Sequence, residues 1–339
     1  MISKSLNWSA ESRQEPFLLK PSGKDYLWGG SRLKDDFAKE ISLTPLAETW
    51  ECSTHPDGPS TVASGKFRGR LLTDVLKEHP ELLGTHPKTQ GELPILVKLI
   101  DADKNLSIQV HPSDEYARKY ENGALGKTEM WYVLDAKPGA RLIYGFVRNL
   151  NKTQVKKHIA DGTLENVLQK VPIKKNDVFF IPAGCVHAIG AGALIAEIQE
   201  NSNLTYRLYD YNRLDKNGEQ RPLHIEKALE VADLKGAAEP RQPMRVLKFT
   251  PGFASELLCR CQYFQVERLL LNTERCRNKA KLRAAENSFV TLLCTSGCGT
   301  ISWNDNKVLE FYKGDCIFVP ANSAELRFHG QAQFLKVGC

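Results

Sequence analysis

Short apolar runs, interrupted every few residues by glycine or proline, recur along almost the whole chain. This pattern predicts many short strands joined by turns. The clearest strand candidates are Leu93 to Ile100, Glu129 to Asp135, Asp177 to Ile181, Ala193 to Gln199, Phe289 to Cys294 and Cys316 to Val319. Helical periodicity is confined to a few stretches. Arg70 to His79 places Leu71, Leu72, Val75 and Leu76 as an amphipathic helix that Pro80 would close, and Ser113 is positioned to cap a helix over Asp114 to Glu121. Asn151 to Lys170 reads as one or two helices divided by Gly162, a small insertion near 150–171 between strands. The fold class expected is mainly β.

One segment occurs twice. Lys175-Asn-Asp-Val-Phe-Phe-Ile-Pro-Ala183 aligns without gaps on Lys313-Gly-Asp-Cys-Ile-Phe-Val-Pro-Ala321, and both carry a turn with aspartate, an apolar strand and a terminating proline. At 339 residues the chain exceeds the size at which one core stops growing. Two related β units follow, a chemistry-bearing one over 1–240 and a degenerate one over 241–339. Four residues beyond Ala183 stands His187, whereas the same step beyond Ala321 reaches Glu325, with no Gln-x-His upstream. One copy would then hold a site that the other has lost. Compact jelly-roll units with a metal site in the mouth are what cupins provide.

Composition narrows the class without choosing a function. Hydrophobic residues at 42% and charged residues at 25% are those of a folded globular protein, which argues against disordered or fibrous classes. No apolar run is long enough to span a bilayer, and the first residues lack a signal-like apolar core, so the expected location is the cytoplasm. The net charge of +6 is dispersed rather than gathered into a basic tract, which disfavours nucleic acid as a partner. Nine cysteines without paired Cys-x2-Cys spacing are expected to be reduced thiols. The pattern leaves monomer and homodimer both open.

Chemistry concentrates in Ser107-Ile-Gln-Val-His-Pro112. Alternation along an extended segment points Ser107, Gln109 and His111 to one face and Ile108 and Val110 to the other. Glu129 and His187 add a carboxylate and a second imidazole, and two histidines with one carboxylate are a recurrent donor set for catalytic zinc or non-haem iron. Spacing alone supports three ligands and leaves Gln109 open, because an amide is an uncommon zinc ligand. The histidines at 55, 79, 86, 158, 224 and 329 lie among helix ends and polar loops and receive no role.

The blocks Tyr26-Leu-Trp-Gly-Gly30, Ala47-Glu-Thr-Trp-Glu51, Leu99-Ile-Asp-Ala102, Leu106-Ser-Ile-Gln-Val-His-Pro112, Lys127-Thr-Glu-Met130 and Pro182-Ala-Gly-Cys-Val-His187 resemble, in order, those of type I mannose-6-phosphate isomerases of the short bacterial form. With their flanks they run from about residue 17 to 213. The resemblance implies a cupin fold and one Zn2+ per chain held by Gln109, His111, Glu129 and His187. It also implies a catalytic arginine at Arg207 and a site lysine at Lys127. Position 203, where the family often has aspartate, is Asn203.

The activity so implied is interconversion of mannose 6-phosphate and fructose 6-phosphate through an enediol or enediolate. Such chemistry needs a base, a proton donor and positive charge near the developing oxyanion. Arg207 would stabilise that charge. Lys127 would carry a proton or bind phosphate, and Ser107 would contact phosphate or hydrogen-bond within its strand. Two rivals stay open: a cupin oxygenase using Fe(II), and a sugar-phosphate-binding cupin without turnover.

Overall fold

The computed structural model describes residues 13–86, 92–215, 217–243, 245–274, 280–304 and 306–339. The chain is mainly β and forms two cupin-like units, one built from residues 21–58 and 95–244, the other from the described parts of 1–20, 59–94 and 245–339. The division expected at residue 240 is therefore redrawn. The strand Phe17–Lys20 pairs with Cys316–Val319, Phe17 opposite Phe318, and Thr61–Val62 pairs with Phe17–Lys20 in turn. Pairing across some 300 residues carries no local sequence signal.

The first unit consists of two antiparallel sheets. The larger runs Val178–Ile181, Glu129–Ala136, Ala193–Glu200, Ile95–Asp101, Glu48–Cys52, Ser22–Lys24. The smaller runs Tyr206–Tyr209, Ile108–Val110, His187–Ile189, Arg141–Phe146, Leu168–Pro172. Successive strands mostly alternate between the two, as in a jelly roll. Trp131, Val133 and Ile195 of the larger sheet join Leu142, Val171 and Ile189 of the smaller in one core. The opposite face of the smaller sheet carries a second core, in which Ile108, Val110, Ala188 and Leu208 pack with Val155 of the helix Lys152–Ala160 and Leu229 of the helix Ile225–Val231. Burial of Ile108 and Val110 there turns Gln109, between them, toward the interior of the jelly roll.

The second unit is one ten-stranded sheet dominated by the long strands Val290–Trp303 and Leu326–Gly338. Its core centres on Leu292, Phe311, Phe328 and Phe334. The repeated segment forms the same turn in both units. Asn176 and Gly314 both have positive φ, 72° and 101°. The Asp177 carboxylate accepts the Lys174 N–H at 3.0 Å, and Asp315 accepts the Tyr312 N–H at 2.8 Å. The turn also binds the neighbouring strand identically, through Asn176 N–H to Val133 O and Gly314 N–H to Cys294 O, each 2.8 Å.

The helical expectations hold in part. Ser113 caps Asp114–Tyr120, and Pro80 follows the helix Leu72–Glu78 by opening a 3-10 turn. Asn151 and Gln154 form a reciprocal capping box on Lys152–Ala160. Beyond Gly162 the expected helix gives way to a 3-10 turn, Leu164–Asn166, and the strand Leu168–Pro172. Pairing with Arg141–Phe146 along the sheet edge, interrupted by a register shift, overrides the local helical preference. The eight described cysteines are free thiols, and no described helix is long and apolar enough to cross a membrane.

Candidate metal centre

Strand register delivers the candidate ligands to one place. His187 lies opposite Gln109 across one strand pair, and Arg207 lies opposite Gln109 across the next. Glu129 begins its strand in the facing sheet, paired with Ile181 and Gln199. His111, Glu129 and His187 are fully buried, and their donor atoms fall within 4.8 Å of one another. The Nε2 atoms of His111 and His187 stand 3.6 and 3.3 Å from the two oxygens of the Glu129 carboxylate.

The tautomers follow from the hydrogen bonds. Each Nδ1 lies 2.9 Å from a backbone carbonyl, His111 from Leu204 and His187 from Cys185. A carbonyl only accepts, so Nδ1 carries the hydrogen and Nε2 presents a lone pair. Those two Nε2 atoms and the Glu129 Oε1 are buried without hydrogen-bond partners. Lone pairs turned on a carboxylate at such distances are unfavourable unless a cation shares them, so the donor set fits a divalent metal.

Burial reinforces this state. It pushes His187 down to about 4, and burial followed by the Lys127 charge holds His111 well below the usual imidazole range, so both are neutral at pH 7. Without metal the Glu129 carboxyl is pushed up to about 7 by burial and by the Glu197 charge, against the pull of Lys127.

The remaining expected residues surround this centre. Ser107 is buried, and its hydroxyl points to Gln109 Oε1 at 3.5 Å, the outer limit of a hydrogen bond. Lys127 is buried with its ammonium 2.9 Å from Glu129 and 3.8 Å from Glu197. Arg207 is half-buried, and its Nε has no partner. Asp210, the obvious local counter-ion for Arg207, is instead held by Arg213 and by Arg221 at 2.7 Å. Ser107, Gln109, Lys127, Asn203 and Arg207 all line one pocket, together with Tyr26, Trp28 and Arg221.

Three buried charged residues of this pocket received no role from the sequence: Glu48, Lys98 and Glu197. They form a buried ladder across the larger sheet, with Lys98 3.7 Å from Glu48 and 3.2 Å from Glu197. Trp50 and Trp131 donate their indole N–H groups to Glu48 and Glu197 at 2.7 and 2.8 Å. Burial would raise the Glu197 pKa, but Lys127, Lys98 and the Trp131 N–H outweigh it and hold the carboxyl at about 2. The signal was present in Ile95-Leu-Val-Lys-Leu-Ile-Asp101 and Ala193-Leu-Ile-Ala-Glu-Ile-Gln-Glu200, where, besides the acid that ends each strand, one charge sits mid-strand among apolar residues. Lys98, Lys127, Arg207 and Arg221 against Glu48 and Glu197 leave the pocket with excess positive charge.

Residues 17–138 match the family model described as phosphomannose isomerase type I, catalytic domain. Over 324 residues the chain is 38% identical to the Bacillus subtilis protein named probable mannose-6-phosphate isomerase GmuF, covering 94% of this chain and 98% of that one. It is 36% identical to mannose-6-phosphate isomerase ManA of the same organism, covering 94% and 97%. Among solved structures, that of the mannose 6-phosphate isomerase from Bacillus subtilis superposes with a TM-score of 0.87 at 35% identity, covering 96% of this chain and all of that one.

Proposed function

The chain belongs to the type I phosphomannose isomerase family, and from that premise we propose that it interconverts mannose 6-phosphate and fructose 6-phosphate with one zinc ion held by Gln109, His111, Glu129 and His187. The observation carrying this reading is the pair of buried, partnerless Nε2 atoms turned on Glu129, next to Gln109 and Lys127, which line a pocket rich in positive charge. Zinc bound there would supply Lewis acidity toward the C1 and C2 oxygens, a contribution of several kcal/mol (order of magnitude).

The chain's own groups supply the rest. The cationic excess of the pocket attracts and orients the phosphate dianion. Arg207, with an unengaged guanidinium Nε, stabilises the enediolate oxygen. Lys127 sits between Glu129 and Glu197, away from solvent, a position suited to moving a proton between C1 and C2 rather than to gripping an exposed phosphate. Glu197, ionised and fixed by Trp131 and Lys98, keeps the Lys127 ammonium in place. The sugar phosphate, the zinc and a cytoplasmic setting form one consistent reading.

A coupled assay converting mannose 6-phosphate to fructose 6-phosphate, run with and without a chelator, tests it. Chelator-sensitive turnover with stoichiometric zinc is the expected result. Stoichiometric iron with oxygen consumption would point to an oxygenase instead, and tight sugar-phosphate binding without turnover would point to a binding protein.

A further inference from the structure

A hydrogen-bonded pair of side chains that the proposed chemistry leaves unused lies beside the pocket, one of them in its lining. Asn203, which lines the pocket, donates its amide to Asp57 Oδ2 at 2.8 Å. Asp57 comes from the turn His55–Gly58, closed by the Gly58 N–H to His55 O hydrogen bond at 3.0 Å. That turn is held firmly. Ser22 Oγ donates to Gly58 O at 2.9 Å, and a Cβ on Gly58 would meet Ser22 Oγ at 2.6 Å and the Trp50 ring at 2.9 Å. Lys24 donates to the Asp57 carbonyl while its ammonium lies 4.5 Å from the Trp50 ring centre. The backbone N–H of Asp57 donates to His55 Nδ1 at 3.1 Å, so that nitrogen accepts, and although it stands 3.6 Å from Asp57 Oδ2 the imidazole, held below its usual range by burial, adds no positive charge there.

The result is an exposed carboxylate on a rigid turn, clasped to a residue of the pocket wall. The two acidic groups inside the pocket are already engaged, Glu48 by Trp50 and Lys98, Glu197 by Trp131 and Lys98. The Asp57 charge also reaches the pocket-lining Tyr26 hydroxyl and opposes its ionisation, after burial and Glu48. A carboxylate at this point repels phosphate and favours hydroxyl donors.

We propose that Asp57 and Asn203 form an amide–carboxylate clasp that binds a sugar hydroxyl at the pocket wall and so sets which end of the sugar phosphate enters toward the cations. The proposal rests on the isomerase reading. Because the clasp needs one amide and one carboxylate, exchanging them keeps both its hydrogen bond and its charge. Three variants of the zinc-loaded full chain test it: Asp57→Asn, Asn203→Asp, and the exchange carrying both. Removing the charged acceptor should raise KM for mannose 6-phosphate about tenfold with kcat largely kept, the scale of one hydrogen bond to a charged group. Asn203→Asp alone sets two carboxylates against each other and should raise KM at least as much. The exchange should bring KM back to within about threefold of the parent.

An unchanged KM in Asp57→Asn, or an exchange no better than the single variants, would overturn the clasp. If the parent chain shows no turnover, the isomerase reading fails separately. The clasp is then judged by calorimetric binding of fructose 6-phosphate to the same variants, with the same order of affinities required. Matched thermal melts separate loss of binding from loss of fold.

Discussion

The two β units share a turn, a strand and a proline stop, yet present opposite interiors at the end of that strand. In the first unit the strand Val178–Ile181 ends opposite Glu129, and in the second Cys316–Val319 ends opposite Val290. The same register sets Lys336 where the first unit has Glu197, and Leu292 where it has Trp131. His187 has Glu325 as its counterpart, a half-buried residue paired with Lys281 at 3.0 Å. The scaffold alone therefore does not make a metal centre. Burying a carboxylate and two imidazoles without partners is unfavourable, and the second unit has apolar Val290 and Leu292 at two of the matching positions and ion-paired Lys336 and Glu325 at the others.

The largest expected effect that separates the units is loss of a proposed ligand. His187→Ala should lower turnover by at least about 1000-fold and abolish stoichiometric metal, measured by elemental analysis beside the coupled assay. Glu325→Ala, at the matching position of the second unit, should change neither. Arg207→Ala should follow, losing about 100- to 1000-fold in kcat while keeping its metal, as expected when one stabilising donor is removed. Normal kcat in that variant would remove Arg207 from the chemistry.

Val290→Glu tests the comparison from the other side, by giving the second unit the residue whose equivalent is Glu129. With Glu325 where the first unit has His187, the buried carboxylate should lower unfolding free energy by about 3 kcal/mol in denaturant titration and recruit no second metal. A variant that binds two metals per chain would mean that the second unit retains a usable donor set.

How much of this the sequence discloses depends on the range over which each feature is encoded. Strands such as Glu129–Ala136 and Cys316–Val319 are written in local apolar runs, and the repeated turn in the spacing of Asp177 and Asp315, so both can be read directly. The family blocks pick out His111, Glu129 and His187, which the fold brings together. Other features are non-local. Nothing near Phe17 indicates that it pairs with Phe318, and residues 59–94 join the second unit through that strand and through Leu82, Leu83, Thr85 and His86, whose backbones hydrogen-bond to Ala321, Phe289, Glu286 and Asn287. Glu48, Lys98 and Glu197 look like isolated charges until register places them side by side. Leu168–Pro172 has a helical neighbourhood and is extended only because a sheet edge is available to it.

The smallest effect concerns the shared turn itself. If Asp177 and Asp315 perform the same structural task, removing either should forfeit one carboxylate-to-backbone hydrogen bond, about 1 kcal/mol. Asp315→Ala should lose at least about that much. Asp177 also receives the Arg241 guanidinium at 3.1 Å, so Asp177→Ala measured alone mixes the turn with an ion pair. In an Arg241→Ala background that second contribution is gone, and the Asp177→Ala increment should fall to the Asp315 value, within about 0.5 kcal/mol. Equal increments would place the common device in the turn, upstream of any chemistry. An Asp177 increment that stays several-fold larger would mean that the first unit has come to depend on this turn to hold the strand ending opposite Glu129, so that the two copies have diverged in stability as well as in function.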